Sequence, residues 1–330
     1  MTNTALRDAV TRVLPRVKTP AQYIGGELNS TPKDHRAVRG KLCLCFPDAY
    51  TIGMSHHGLQ VLYTIMNNDP QWACERAFTP WMDFEGELRR NRLPLYSLET
   101  YTPLSEFDLV GFSLQYEVCY TNLLTMIDLG GIPHFASDRR VTDPLVVAGG
   151  PGAQNPELLA PFVDLFVIGD GEESLPWVME KWMALKEVAL REGDTSHKRR
   201  MEMLAELVGS TTWAYAPLFY EPEYHADGTL AALHRTRGDV PREIAACTMV
   251  STERTRSGRL MTVDWQNRHC HGQPRMISMA MRSCGVCTND TTGRVGSGIA
   301  SRSCVIVQLS IWVGTSDRVR FTAAMVPSAW

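Results

Sequence analysis

No apolar run in the chain approaches the ~18 residues that a membrane-crossing helix needs, so no transmembrane segment is expected. An excess of one charge sign is equally lacking. The 33 Lys and Arg face 36 Asp and Glu for a net −3, which excludes a general attraction to nucleic acid or to anionic membrane surfaces. The N-terminal stretch MTNTALRDAVTRVLPRVK has no apolar stretch of the kind a secretory leader carries, so the expected compartment is the cytoplasm. There, nine cysteines read as free thiols or metal ligands rather than disulfides. There is no internal repeat and no low-complexity stretch.

One absence is regional. From Arg254 to Trp330 there is no Lys and no Glu, where ordinary usage would supply about nine. Arg, Ser, Thr, Cys and Met fill the space, and neither a helical nor a strand period persists. Two readings are open: an Arg-biased domain, or a shifted frame or unrelated sequence fused after a truncation. The composition favours the second, so residues 242–330 are expected to be an aberrant or disordered tail.

What is present before that point has a clear rhythm. A chain of 330 residues allows about two domains, and its 44% hydrophobic fraction is enough for a packed core. Lys41–Phe46, Asp108–Ser113, Pro144–Ala148 and Asp164–Ile168 read as short buried strands. Between them run amphipathic helices. Ser55 is placed to cap one that carries Leu59, Leu62, Tyr63 and Met66 on one face. A second starts near Glu117 and stops at Gly130-Gly131, and a third carries Trp177, Val178 and Trp182. Continuous apolar strands alternating with helices predict an α/β fold, a doubly wound parallel sheet of Rossmann type over residues 39–185. A helix and an extended segment precede it over residues 1–38. A charged helix follows from Lys186 to Leu207, then a hairpin through Ala226-Asp227-Gly228, together forming a linker over 186–241.

In such a sheet ligands bind beyond the carboxyl ends of the strands. Each strand ends there in a loop of glycine or small polar residues: Asp48–Gly53, Ser113–Gln115, Gly149–Gly152 and Gly169–Glu173. Four loops on one side indicate a ligand face, although any one of them also reads as a tight turn that needs glycine for its backbone alone. His56-His57 reads first as a capping or surface pair, with a ligand role as the alternative. Glu172-Glu173 equally suits a helix start, where carboxylates meet the helix dipole. Cys43 and Cys45 point to one face of their strand and read as buried thiols.

Several of these loops resemble the motifs of cobalamin-binding domains: Asp-x-His-x-x-Gly, Ser-x-Leu and Gly-Gly, each after a strand. Asp48 and Gly53 take the first and last places of the first motif, with Tyr50 where the histidine would stand; Ser113-Leu114-Gln115 keeps only the serine of the second, and Gly149-Gly150 matches the third. The resemblance narrows with Tyr23-Ile-Gly-Gly-Glu-Leu-Asn29, Phe46-Pro-Asp-Ala-Tyr50, Phe107-Asp-Leu-Val-Gly-Phe-Ser-Leu-Gln-Tyr-Glu117, Ala148-Gly-Gly-Pro151 and Gly169-Asp-Gly-Glu-Glu173. From about residue 15 to 241 the chain is similar to an uncharacterised bacterial radical S-adenosylmethionine (radical SAM) family with an N-terminal cobalamin-binding-like domain. The resemblance implies a small-molecule cofactor, with cobalamin the candidate. The expected contacts are Asp48, Tyr50, Gly53, Ser113, Leu114, Gln115, Gly149, Gly150, Gly169, Gly171 and Glu172.

That family continues into a barrel opening with Cys-x3-Cys-x2-Cys, whose thiolates hold a [4Fe-4S] cluster with one iron left for S-adenosylmethionine. This chain has no such triplet: Cys284 and Cys287 give the final pair, but the remaining position is Ala280. Cys270, His269 and His271 with that pair imitate a zinc site without fitting a ligand spacing. The resemblance therefore implies the accessory domain of a radical SAM enzyme, inactive alone, with cluster and S-adenosylmethionine expected of the full-length family but not of this chain. A downstream radical SAM domain is its expected partner. The rival reading is a stand-alone cobalamin- or nucleotide-binding module.

Overall fold

The computed structural model describes residues 2–226 and 229–247 and two further strands, Leu309–Val313 and Val319–Ala323. The chain divides into two compact units, Met1–Ser251 and Thr252–Trp330. In the first unit the order is α1 (Thr4–Val13), β1 (Gly40–Phe46), α2 (Tyr50–Gly53), α3 (His57–Asn68), β2 (Trp72–Phe78), α4 (Met82–Asn91), β3 (Leu109–Ser113) and α5 (Tyr120–Leu129). There follow β4 (Leu145–Gly149), β5 (Leu165–Val167), α6 (Gly171–Glu192), α7 (His197–Gly209), β6 (Ala214–Tyr215), β7 (Tyr220–Tyr224) and β8 (Leu230–Arg235).

Six strands form one sheet in the order β2-β1-β3-β4-β5-β6, parallel except for β6, which runs antiparallel to β5. This is the Rossmann-like α/β architecture expected from the strand–helix alternation. The period of two along each strand builds a core on either face. Leu42, Leu44 and Phe46 of β1 pack with Leu59, Tyr63 and Met66 of α3 and with Val178 and Trp182 of α6. Cys43 and Cys45 face the other way, with Phe84 and Leu88 of α4 and Leu123 and Ile127 of α5. Both thiols are wholly buried, and burial pushes the Cys43 thiol well up, so these are inert packing residues.

Four differences from the sequence reading have physical causes. First, β2 is an additional strand, and its centre is Glu75-Arg76, both 1% exposed. Glu75 accepts from Thr100 Oγ1 at 2.7 Å and lies 2.5 Å from His35 Nε2; Arg76 Nε donates to Glu99 at 2.8 Å. A strand that buries charges through side-chain partners has no apolar pattern to betray it. Second, the cap of α3 is His56, whose Nδ1 accepts from Leu59 N at 3.2 Å. Ser55 instead turns back, its hydroxyl 2.9 Å from Ile52 O.

Third, α6 continues unbroken through Lys186 to Glu192, where Gly193 ends it in the left-handed region (φ 71°). Ser196 caps α7 by accepting from Arg199 N. The charged helix expected over 186–207 is thus the end of α6 and most of α7, and the sheet reaches Tyr215 through β6. The α7 helix is anchored by a buried hub. Asp164 Oδ2 accepts from Arg139 Nη1 at 2.8 Å, Arg200 Nη2 at 2.9 Å and Val146 N at 2.8 Å, with all three charged side chains 0% exposed. Fourth, ordered chain runs past 241: Cys247 N donates to Ile168 O at 2.7 Å, and Asp170 N donates to Cys247 O at 2.8 Å.

The expected hairpin is present as antiparallel β7 and β8, with a register shift at Glu223/Tyr224; the turn residues Asp227 and Gly228 lie outside the described residues. In the second unit, β9 (Leu309–Val313) and β10 (Val319–Ala323) pair antiparallel. The rest of the expected tail lies outside the described residues, as do His269, Cys270, His271, Ala280, Cys284 and Cys287. Among the described residues, no helix is long and apolar enough to cross a membrane.

Candidate functional site

The order β2-β1-β3 reverses the direction of winding between β1 and β3, and in parallel sheets the crevice at such a point is where ligands bind. A cleft of about 260 Å³ opens there, across the carboxyl ends of β1, β3, β4 and β5. Its floor is apolar: Leu44, Val147 and Val167 from the strands, Leu59 and Leu62 from α3, and Leu175 from α6. Its rim is polar, with Ser113 and Gln115 after β3, Gly149-Gly150 after β4, Gly169–Glu172 after β5, and His56 at the start of α3.

The fold thus brings together Ser113, Gln115, Gly149, Gly150, Gly169, Gly171 and Glu172 on one wall system. Gln115 Nε2 donates to Ser113 Oγ at 2.9 Å, fixing both at the mouth. Ser174 Oγ donates to Asp170 O at 2.7 Å and ties the first turn of α6 to the loop after β5. Asp170 and Glu172 are acidic groups of the wall, and among the described residues no Lys or Arg lines it.

Leu114, after β3, is wholly buried in the core. The loop after β1 is used differently from the rim. Asp48 Oδ1 accepts from Ala49 N at 2.7 Å, and Oδ2 accepts from the Tyr116 hydroxyl; that bond, with desolvation, pushes the Tyr116 phenol up to about 12. Tyr50 donates its hydroxyl to Glu27, and burial first, then that carboxylate, pushes its phenol up to about 12. Gly53 makes room for a neighbour rather than a ligand, since a Cβ there would lie 2.3 Å from the Phe78 ring. None of Asp48, Tyr50, Gly53 and Leu114 lines the cleft: Leu114 packs in the core, and the other three brace the loop beside it. Asn122 Nδ2 to Pro47 O (3.0 Å) and Thr79 N to Asp48 O (3.1 Å) complete that bracing.

Sequence reasoning gave Glu27 and Tyr116 no role, although both stand in stretches that carry the family resemblance. Their function is to occupy Tyr50 and Asp48, which no local pattern reveals. Asp170 and His56 on the rim were also outside the expected contact set; for His56 the capping role is correct, and it lines the cleft as well. Among the described residues no cluster of His, Cys, Asp and Glu could hold a metal ion.

No curated protein and no solved structure matches the chain. Residues 58–217, from α3 through β6, match the family described as radical SAM proteins, N-terminal.

Proposed function

We propose that the chain is the N-terminal accessory domain of a radical SAM iron–sulfur enzyme, with a doubly wound, cobalamin-binding-like fold whose cleft holds a cobalamin by its nucleotide tail. The observation that carries the reading is the cleft itself. It has an apolar floor and a glycine rim at the carboxyl ends of β1, β3, β4 and β5, beside the topological switch point. The residues fit a planar aromatic base. At Gly149 a Cβ would find only the Val167 carbonyl oxygen, at 3.9 Å, so the missing side chain leaves open space. Ser113, Gln115, Gly149 and His56 are the groups placed to hold such a tail.

Cobalamin, when bound, supplies a cobalt centre able to carry an alkyl group. Tyr50 stands where cobalamin-binding domains carry a histidine, and as a neutral phenol bonded to Glu27 it does not take that histidine's place on the metal. Bound cobalamin is thus expected to lack a protein imidazole. The rival reading, a nucleotide with a multiply charged phosphate end, is disfavoured by charge: Glu172 lines the cleft and, among the described residues, no Lys or Arg does, whereas cobalamin's tail carries a single phosphodiester charge and an uncharged base. What supports a domain inactive alone is the missing Cys-x3-Cys-x2-Cys motif in the sequence.

Titration of the purified chain with hydroxocobalamin, followed in the visible spectrum, tests the proposal. Saturable binding with a shift to the spectrum of the base-off form is expected. No binding at high micromolar concentration would sink it.

A further inference from the structure

We infer that His56 is the hydrogen-bond donor with which the cleft selects its ligand, and that the selected group is a neutral, planar heterocycle bearing an acceptor nitrogen or oxygen. The inference rests on the cleft's being the ligand site, as argued above, and goes further by assigning the polar contact that reads the ligand.

The chemistry follows from the cap. His56 Nδ1 accepts the Leu59 N–H at 3.2 Å, so its lone pair is in use and the neutral ring carries its proton on Nε2. That Nε2–H has no hydrogen-bond partner among the described residues, while His56 stands on the cleft wall. The ring is held on two further sides. The Phe46 ring lies against it at 5.0 Å between centroids, tilted 41°, and Gly58 leaves room for its edge, since a Cβ there would lie 3.1 Å from Cε1. A donor fixed in this way loses little freedom on binding and so discriminates by position. The other side chains on the wall set the rest of the preference. Glu172 repels an anion, Ser113 Oγ accepts from Gln115 Nε2 and so lies beside the amide at the mouth, and the floor of Leu59, Leu62 and Val167 takes a flat apolar face. The benzimidazole end of cobalamin's nucleotide tail, detached from cobalt, has this form.

The test uses two probes on the full chain, hydroxocobalamin and dicyanocobinamide, the second lacking the nucleotide tail. His56→Ser keeps a favoured N-cap acceptor for α3 and removes the imidazole Nε2–H, which the shorter hydroxyl does not reach. Thermal unfolding of the variant should match the wild type. Its affinity for hydroxocobalamin should fall by roughly 3- to 10-fold, the loss of one neutral hydrogen bond, with the base-off spectral change reduced to match. Dicyanocobinamide should bind the wild type more weakly than hydroxocobalamin does, and the substitution should leave that weaker affinity unchanged. Should the serine variant fold poorly, His56→Asn, also a favoured cap and too short to reach the position of Nε2, replaces it. Unchanged hydroxocobalamin affinity in a folded variant, or equal losses for both probes, overturns the role of His56 while leaving the cleft as the site. Failure of wild-type chain to bind hydroxocobalamin overturns both.

Discussion

The side-chain amide of Asn67 makes both of the hydrogen bonds that a further strand would make to Cys74: Nδ2 donates to its carbonyl at 2.9 Å and Oδ1 accepts from its N–H at 3.1 Å. Cys74 lies on β2, the edge of the sheet. Its neighbours are treated likewise. The Arg76 N–H donates to Glu99 at 2.8 Å, Leu98 N donates to the Arg76 carbonyl at 2.8 Å, and Lys33 Nζ reaches the Trp72 carbonyl at 2.6 Å. An exposed strand edge is a template for pairing with another chain; here borrowed groups close it. Replacing Asn67 by Leu should lower stability by about 1–3 kcal/mol, because it orphans a donor and an acceptor on a buried residue. Urea unfolding measures the loss, and light scattering should show concentration-dependent association. A variant as stable and as monodisperse as the wild type would mean the edge needs no such closure.

Glu99, beside the Arg76 guanidinium, gives a pH dependence whose sign is opposite to that of an ordinary ion-paired carboxylate. Burial outweighs the attraction of Arg76 and raises its carboxyl from 4.5 to about 6. Between those values the folded chain holds a proton that the unfolded chain has released, so this group's contribution falls as pH rises from 4.5 to 6 and stays lost above it. The amplitude is about 2 kcal/mol. The difference in unfolding free energy between wild type and Glu99→Gln should therefore change across that window and be flat above pH 7. A difference that instead rises with pH below 4.5 would show that the Arg76 pairing dominates.

Asp164 is the single carboxylate between two buried guanidinium groups, those of Arg139 and Arg200. Desolvation lowers the Arg200 pKa from its ordinary value, opposed by the charge on Asp164. Asp164→Asn preserves shape and removes the countercharge, leaving two buried cations. The expected cost is about 3–5 kcal/mol, read by denaturant unfolding, with α7 the first element to lose amide protection because Arg200 is its anchor. A loss under 1 kcal/mol would contradict the hub.

Much of the sheet was legible because β1, β3, β4 and β5 are apolar runs closed by glycine or small polar residues, a pattern set by burial on both faces. β2 was not, since Glu75 and Arg76 are satisfied by residues far away in sequence: His35, Thr100, Glu99 and Gln60. The rim at Ser113, Gly149 and Glu172 was legible from loop chemistry alone. Tyr50 and Asp48 stand beside the cleft rather than on it for the opposite reason. Their motif positions are read locally, but Glu27 and Tyr116, brought in by tertiary folding, decide where their side chains go. His56 shows a third case, in which one ring both caps a helix and lines a cleft, so that a choice between the two roles was never required.

The two adjacent glycines of the rim separate a folding requirement from a binding requirement. Gly150 has φ 93°, and a Cβ there would lie 2.7 Å from the Leu114 carbonyl oxygen, so any side chain is strained before a ligand arrives. Gly149 has an ordinary backbone, and its Cβ would meet nothing nearer than 3.9 Å. Gly150→Leu would therefore damage the turn itself, with an expected loss of about 1–3 kcal/mol. A loss of binding in that variant says little about where the ligand sits. Gly149→Leu is the informative substitution, because it places an isobutyl group on the cleft wall without backbone strain. It should unfold within about 1 kcal/mol of the wild type and lose hydroxocobalamin binding by more than about tenfold, as the bulk of the side chain takes the space of the base. Wild-type affinity in a folded Gly149→Leu variant would place the ligand outside this cleft.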